Sequence, residues 1–123
     1  MKTLTTLARA AAPVTVSLAL LAGSAAPSFA GNGCGKASWY ALHSKTASGE
    51  RMDPSKLTAA HRSLRFGTKI QVTNSRTGKS VVVRVNDRGP FIRGRVLDVS
   101  KAAAGRLGMI SSGVASVCFK VLS

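Results

Sequence analysis

Downstream of residue 35 the dominant pattern is alternation of apolar and polar residues with a period of two. Residues 68–73 (Thr-Lys-Ile-Gln-Val-Thr) alternate, and residues 80–85 return as a β-branched run. Between them, residues 74–79 have the composition of a turn, in which Gly78 can take a positive φ. This predicts a hairpin. Further strands are predicted over 36–40, 95–99 and 113–122, the last with Val114, Val117, Phe119 and Val121 as its candidate buried positions. One helix stands out: Ser100 as N-cap, the Ala-rich residues 101–107, and Gly108 as C-terminal cap. Asp98, just ahead of it, would suit the positive end of the helix. Five or six short strands with one or two short helices predict a mainly β protein, a small β-barrel. A faint echo between residues 64–72 and 107–117, each running from a turn glycine into a strand, is compatible with two intertwined halves.

The first thirty residues have a different pattern. Lys2 and Arg9 precede an apolar run over 10–22, and Ser28 and Ala30 supply small residues at −3 and −1 of a cleavage site. This is the pattern of a signal peptide, with cleavage expected after Ala30. The run falls short of the ~20 residues that cross a bilayer, and Pro13 and Pro27 flank it. Gly31-Asn32-Gly33 before Cys34 is not a lipoprotein signal, so the expectation is a soluble, exported monomer, periplasmic or cell-wall associated, with no stable membrane insertion after signal removal.

Charge then narrows the chemistry. The chain has 123 residues, 18 of them Lys or Arg and only 4 Asp or Glu, for a net charge of +14. Glu50, Asp53, Asp87 and Asp98 are the only carboxylate side chains, so a multi-carboxylate calcium or magnesium site would consume most of them. The size allows one domain, expected over residues 31–123, and excludes a two-domain nucleotide-binding enzyme. Removal of residues 1–30 also removes Lys2 and Arg9. The excess of positive charge that remains suits an anionic matrix. Nucleic acid is disfavoured by export and by an aromatic content of only 5%. Cys34 and Cys118, an even pair in an exported chain, read as a disulfide; a reactive thiol is the alternative.

Three polar residues stand in unusual company. Glu50 ends the small-residue loop Thr46-Ala47-Ser48-Gly49-Glu50, His61 ends the largely apolar stretch 57–61, and Asp87 follows the apolar strand candidate directly. A carboxylate at a strand end ahead of a Gly-Pro turn is well placed to be held rigidly. Each also has a structural reading: Asp87 as a turn cap, His61 as a hydrogen-bonded core residue, Glu50 as the partner of Arg51. Asp53 before Pro54 reads as a turn residue and His43 as exposed. Zinc ligation by the two histidines lacks ligand spacing. Trp39 is either core or a sugar-stacking platform.

Taken together, Ala37-Ser38-Trp39-Tyr40, the loop ending at Glu50, Leu57-Thr58-Ala59-Ala60-His61, Phe66-Gly67-Thr68, Asn86-Asp87-Arg88-Gly89-Pro90-Phe91, and Asp98-Val99-Ser100 resemble the rare lipoprotein A family, in order over nearly all of residues 36–122. The Asn-Asp-Arg-Gly-Pro-Phe run is the most specific element. The resemblance implies a six-stranded double-psi β-barrel and endolytic lytic transglycosylase activity on peptidoglycan glycan strands, without a cofactor or metal. Asp87 would be catalytic, supported by Glu50 and His61, with Trp39, Tyr40, Thr46 and Arg88 as substrate-binding candidates.

Such an enzyme uses no water. An acid protonates the glycosidic oxygen, and the muramoyl C6 hydroxyl closes onto C1 to leave a 1,6-anhydro end. One carboxylate serving as acid and then base can suffice, whereas hydrolysis normally takes two. A difficulty follows from charge: a free Asp titrates near ~3.9, and Arg84 and Arg88 would lower it further if they pointed at it. Arg88 is therefore expected to point away from Asp87 or to contact substrate. The segment between Tyr40 and Thr46 is short, and no glycan-binding repeat domain is seen to follow. The rival functions are a non-catalytic, expansin-like glycan binder and a small basic ribonuclease using His61 and Glu50.

Overall fold

The computed structural model describes residues 32–123; the expected signal peptide and the lipoprotein-signal question lie outside the described residues. Six strands and one helix follow in the order β1 (Gly33–Tyr40), β2 (Thr58–Ala60), β3 (Lys69–Asn74), β4 (Ser80–Asp87), β5 (Arg95–Ser100), α1 (Lys101–Leu107) and β6 (Val114–Val121). The strands close into a barrel in the spatial order β1-β5-β2-β4-β3-β6, which leaves no free sheet edge. The parallel pairs are β1 with β5 and β2 with β4; the other four neighbours pair antiparallel. Exchanging β1, β2 and β3 for β4, β5 and β6 leaves this set of pairings unchanged. β3 and β6, the strands joined by the faint sequence echo, are equivalents under that exchange.

The inward positions are small or β-branched: Ala37, Ala59, Ile70, Val72, Val81, Val83, Val85, Leu97, Val99, Val117 and Phe119. Such residues suit a pleated wall, and each Val or Leu removed from water contributes roughly 1.5–3 kcal/mol. α1 adds Ala103, Ala104 and Leu107, followed by Met109, to the same core. Its ends are as the sequence predicts: Ser100 Oγ accepts from the Ala103 N–H, and Gly108 takes φ 71°.

Four sequence expectations change. The segment 57–61 carries a strand, β2, too short at three residues for a period to show. β1 begins at Gly33, so Cys34 is in the sheet, opposite Cys118 and joined to it by a disulfide. Val114 (45% exposed) and Val121 (36%) lie outside the core. Val114 has the opposite parity to Val117 and Phe119, and Val121 lies at the strand's end. Asp98 does not serve the helix; it lies within β5, where its Oδ1 accepts from Ser38 Oγ (2.6 Å) and Arg95 Nη2 (2.8 Å).

Candidate active site

Asp87 owes its position to an irregularity. Along β2 and β4, Thr58 pairs with Arg84 and Ala59 with Val85, but Ala60 pairs with Asp87, the register slipping past Asn86. Strict alternation from the buried Val81, Val83 and Val85 would turn Asp87 inward. One extra residue re-aims a side chain in this way, and the Asp87 carboxylate emerges at the barrel rim.

There it is held by three donors. Oδ1 accepts from the N–H groups of Ala47 (2.8 Å) and Arg88 (2.9 Å), and Oδ2 accepts from the Tyr40 hydroxyl (3.1 Å). Burial, reinforced by the Asp87 charge and this hydrogen bond, pushes the Tyr40 phenol well above its usual range, so it stays a donor. Tyr40, expected to bind substrate, thus spends its hydroxyl on the carboxylate.

The Ala47 N–H is delivered by a tight turn. Thr46 is buried, its Oγ1 donates to Glu50 O (2.6 Å), and the Gly49 N–H returns to Thr46 O (2.9 Å) with Gly49 at φ 93°. The Ser48 N–H reaches Asn86 O (3.3 Å), docking the turn on the end of β4. Thr46 is therefore committed to the turn. Glu50, at the turn's end, receives both prongs of Arg84, Nη1 to Oε1 and Nη2 to Oε2, each at 2.9 Å, with Asn86 Nδ2 at 3.3 Å. The Arg84 bonds hold its carboxyl down at about 2, so it is ionised at neutral pH. Arg51, the neighbour that sequence suggested as partner, donates instead to His43 O.

His61 closes the opposite side. Its N–H donates to Asp87 O (3.1 Å), and its Nδ1 accepts from the N–H groups of both Ser63 and Leu64 (3.0 Å each). The ring meets Phe119 edge-on at 5.4 Å. Burial, then the charges of Arg88 and Arg62, lower its pKa. With Nδ1 accepting, the neutral ring carries its proton on Nε2.

The Arg88 guanidinium turns away from Asp87. It donates to Leu64 O (2.8 Å) and His61 O (3.3 Å), and lies 4.0 Å from the centre of the Phe66 ring. Arg84 is likewise engaged elsewhere, so neither guanidinium contacts the Asp87 carboxylate. Trp39 is half-buried against the core, with Nε1 donating to Ile110 O (3.3 Å), and makes no hydrogen bond to Asp87. Among the described residues no group of three His, Cys, Asp or Glu could hold a metal ion. Sequence reasoning brought Asp87, Glu50 and His61 together but gave no signal for the Ala47 N–H or for the Tyr40 hydroxyl as a ligand of Asp87, since both depend on which loops meet.

A closed six-stranded barrel with this pairing order defines a double-psi β-barrel, and Asp87 is the carboxylate held at its rim. The family model described as "Lytic transglycolase" matches residues 32–119, and the chain belongs to that family. The protein of Nostoc sp. named "Probable endolytic peptidoglycan transglycosylase RlpA" is 66% identical over 77 residues, 63% of this chain and 21% of that one. Its namesake from Synechocystis sp. is 55% identical over 91 residues, 72% of this chain and 28% of that one. The chain thus spans under a third of the length of either relative. Among solved structures, the Streptomyces papain inhibitor superposes with a TM-score of 0.64 at 22% identity, covering 77% of this chain and 97% of the inhibitor. That likeness is one of fold alone, and function has to be argued from the site.

Proposed function

We propose that this domain is an endolytic peptidoglycan lytic transglycosylase, cleaving between N-acetylmuramic acid and N-acetylglucosamine and leaving a 1,6-anhydro end. The observation that carries the reading is the three-donor mount of Asp87, in a chain of the lytic transglycolase family. A carboxylate offers about four lone-pair sites. The two amides occupy both sites on Oδ1, and Tyr40 occupies one on Oδ2. The exchangeable proton therefore belongs on the remaining site of Oδ2. Asp87 gives this proton to the glycosidic oxygen. The C1–O bond breaks with its electron pair going to the departing N-acetylglucosamine oxygen, the C6 hydroxyl oxygen closes onto C1, and its proton returns to Oδ2. No water and no cofactor enter, and one carboxylate serves as acid and then base.

Glu50 is a poor second acid, because Arg84 keeps it ionised; it supports the turn that carries the Ala47 N–H. His61 supports the other wall. A proton relay through its ring would need Nδ1, which two backbone amides occupy, so its free resource is the Nε2–H donor. Arg88 braces the loop after β2, Thr46 braces the turn that carries Ala47, and Trp39 spends its Nε1–H on Ile110 O, so none of the three aims a side-chain hydrogen bond at Asp87. The N-terminal pattern, the Cys34–Cys118 bond and the basic surface support action outside the cytoplasm, in the periplasm or on the cell wall.

The test incubates the protein lacking residues 1–30 with purified sacculi and with glycan strands stripped of peptide. Mass spectrometry should find 1,6-anhydro ends. Reducing ends would indicate hydrolysis, and sedimentation on sacculi without product would indicate a binder.

A further inference from the structure

Four residues beyond Asp87, the chain exposes two apolar side chains that the acid–base chemistry does not use. Phe91 is 76% exposed and Ile92 53%. An aromatic ring left in water forgoes substantial burial energy, and only three phenylalanines stand among the described residues. The loop that presents Phe91 is tightly held. From the loop after β2, the Arg62 guanidinium donates Nε to Pro90 O (2.9 Å) and Nη2 to Arg95 O (3.1 Å) and Ile92 O (3.4 Å). The Arg95 N–H donates to Ile92 O (3.0 Å). The clasp is reciprocal, since Arg88 from this loop holds His61 O and Leu64 O of the other. The Phe91 ring lies over Gly89, where a Cβ would stand 3.6 Å from it and where φ is 116°. Beside the ring is an open depression of about 420 Å³ lined by Arg62, Phe91, Arg93 and Gly94.

We propose that Phe91 is a preorganised sugar-stacking platform near Asp87, with Arg93 beside it taking a carboxylate carried by the stacked sugar. The inference rests on the lytic transglycosylase reading of Asp87. A single ring matches the apolar face of one pyranose, and a rigid loop removes most of the ordering cost of binding. Arg62 is spent on three carbonyls, whereas Arg93 makes no hydrogen bond to the described residues and is exposed beside the ring. Four residues of chain reach at most about 14 Å, which keeps the platform within the span of the same glycan strand that Asp87 would cut. The occupant is therefore an acidic-sugar glycan.

The experiment compares Phe91→Ala, Phe91→Leu and Phe91→Trp with the wild type, all disulfide-bonded and lacking residues 1–30. Turnover is read on peptide-free glycan strands, and affinity is read by sedimentation on the same strands in an Asp87→Asn background. Phe91→Ala and Phe91→Leu should raise KM and weaken sedimentation about ten-fold with kcat nearly unchanged, the loss expected of one aromatic anchor. Phe91→Trp should restore both. Arg93→Gln should weaken binding to muramoyl strands but not to uncharged N-acetylglucosamine oligomers. Wild-type KM and affinity in Phe91→Ala, or full function in Phe91→Leu, would overturn the platform while leaving the reaction intact. Phe91-dependent sedimentation with no anhydro product from the wild type would overturn the reaction and leave the platform standing. Equal melting temperatures across the series separate these effects from misfolding.

Discussion

Arg84 on β4 and Glu50 in the middle of the β1–β2 loop form a two-pronged ion pair, both N–O distances 2.9 Å, across 34 residues of sequence. This pair anchors the turn whose Ala47 N–H reaches Asp87. It holds Glu50 near 2, against 4.5 for the unperturbed group. A carboxylate lowered in the folded state contributes stability above its unfolded pKa and loses it as pH falls through the folded value. Denaturant midpoints should therefore fall as pH drops from about 4.5 to about 2. Glu50→Gln should flatten that part of the profile and cut turnover by loosening the turn. An unchanged pH profile in Glu50→Gln would show that the pair contributes nothing to folding.

Asp87→Asn should remove 1,6-anhydro product by about 10²–10⁴-fold, the usual worth of a positioned acid–base. The amide can still accept at Oδ1 from Ala47 and Arg88, so circular dichroism and melting should stay close to wild type. Product released at the wild-type rate would sink the assignment.

Tyr40→Phe removes one donor to Asp87 Oδ2 and leaves the ring in place. The expected result is a lower kcat with little change in KM, because the carboxylate has lost one of the donors that position it. A change confined to KM would mean that Tyr40 contacts substrate instead.

His61 is held neutral by burial and by the charges of Arg88 and Arg62. Its folded pKa lies below its unfolded value, so its contribution is complete above pH ~6.5 and is lost as pH falls toward the folded value. Protonation would also turn Nδ1, now accepting from Ser63 and Leu64, into a donor facing two donors. NMR titration should show the imidazole resisting protonation, with local loosening of residues 61–64 when it occurs. Titration at or above ~6.5 would contradict the geometry.

Reduction, or a paired Cys34→Ser and Cys118→Ser change, should lower the melting temperature by reopening a loop of sequence separation 84. The chain-entropy estimate for such a loop is about 4–5 kcal/mol, and measured losses commonly fall below it. The barrel's strand pairings remain, so weakened folding rather than a new structure is expected.

Periodicity and caps alone determined the hairpin of β3 and β4, helix α1 with both its ends, and the barrel class. Each of these rests on neighbouring residues, where side-chain alternation, Ser100 and Gly108 act locally. The motif runs likewise singled out Asp87, Glu50 and His61. Tertiary structure decided the rest. β2 is three residues long and exists because β4 and β5 flank it, so no period could announce it. The register slip past Asn86 depends on that pairing, and with it the outward aim of Asp87. Ser38 and Asp98, Glu50 and Arg84, and His61 and Arg88 stand 60, 34 and 27 residues apart, and only closure of the barrel brings them within hydrogen-bond reach. A sequence can name the residues able to do chemistry, but which donors surround a carboxylate is set by the loops that meet at its strand end.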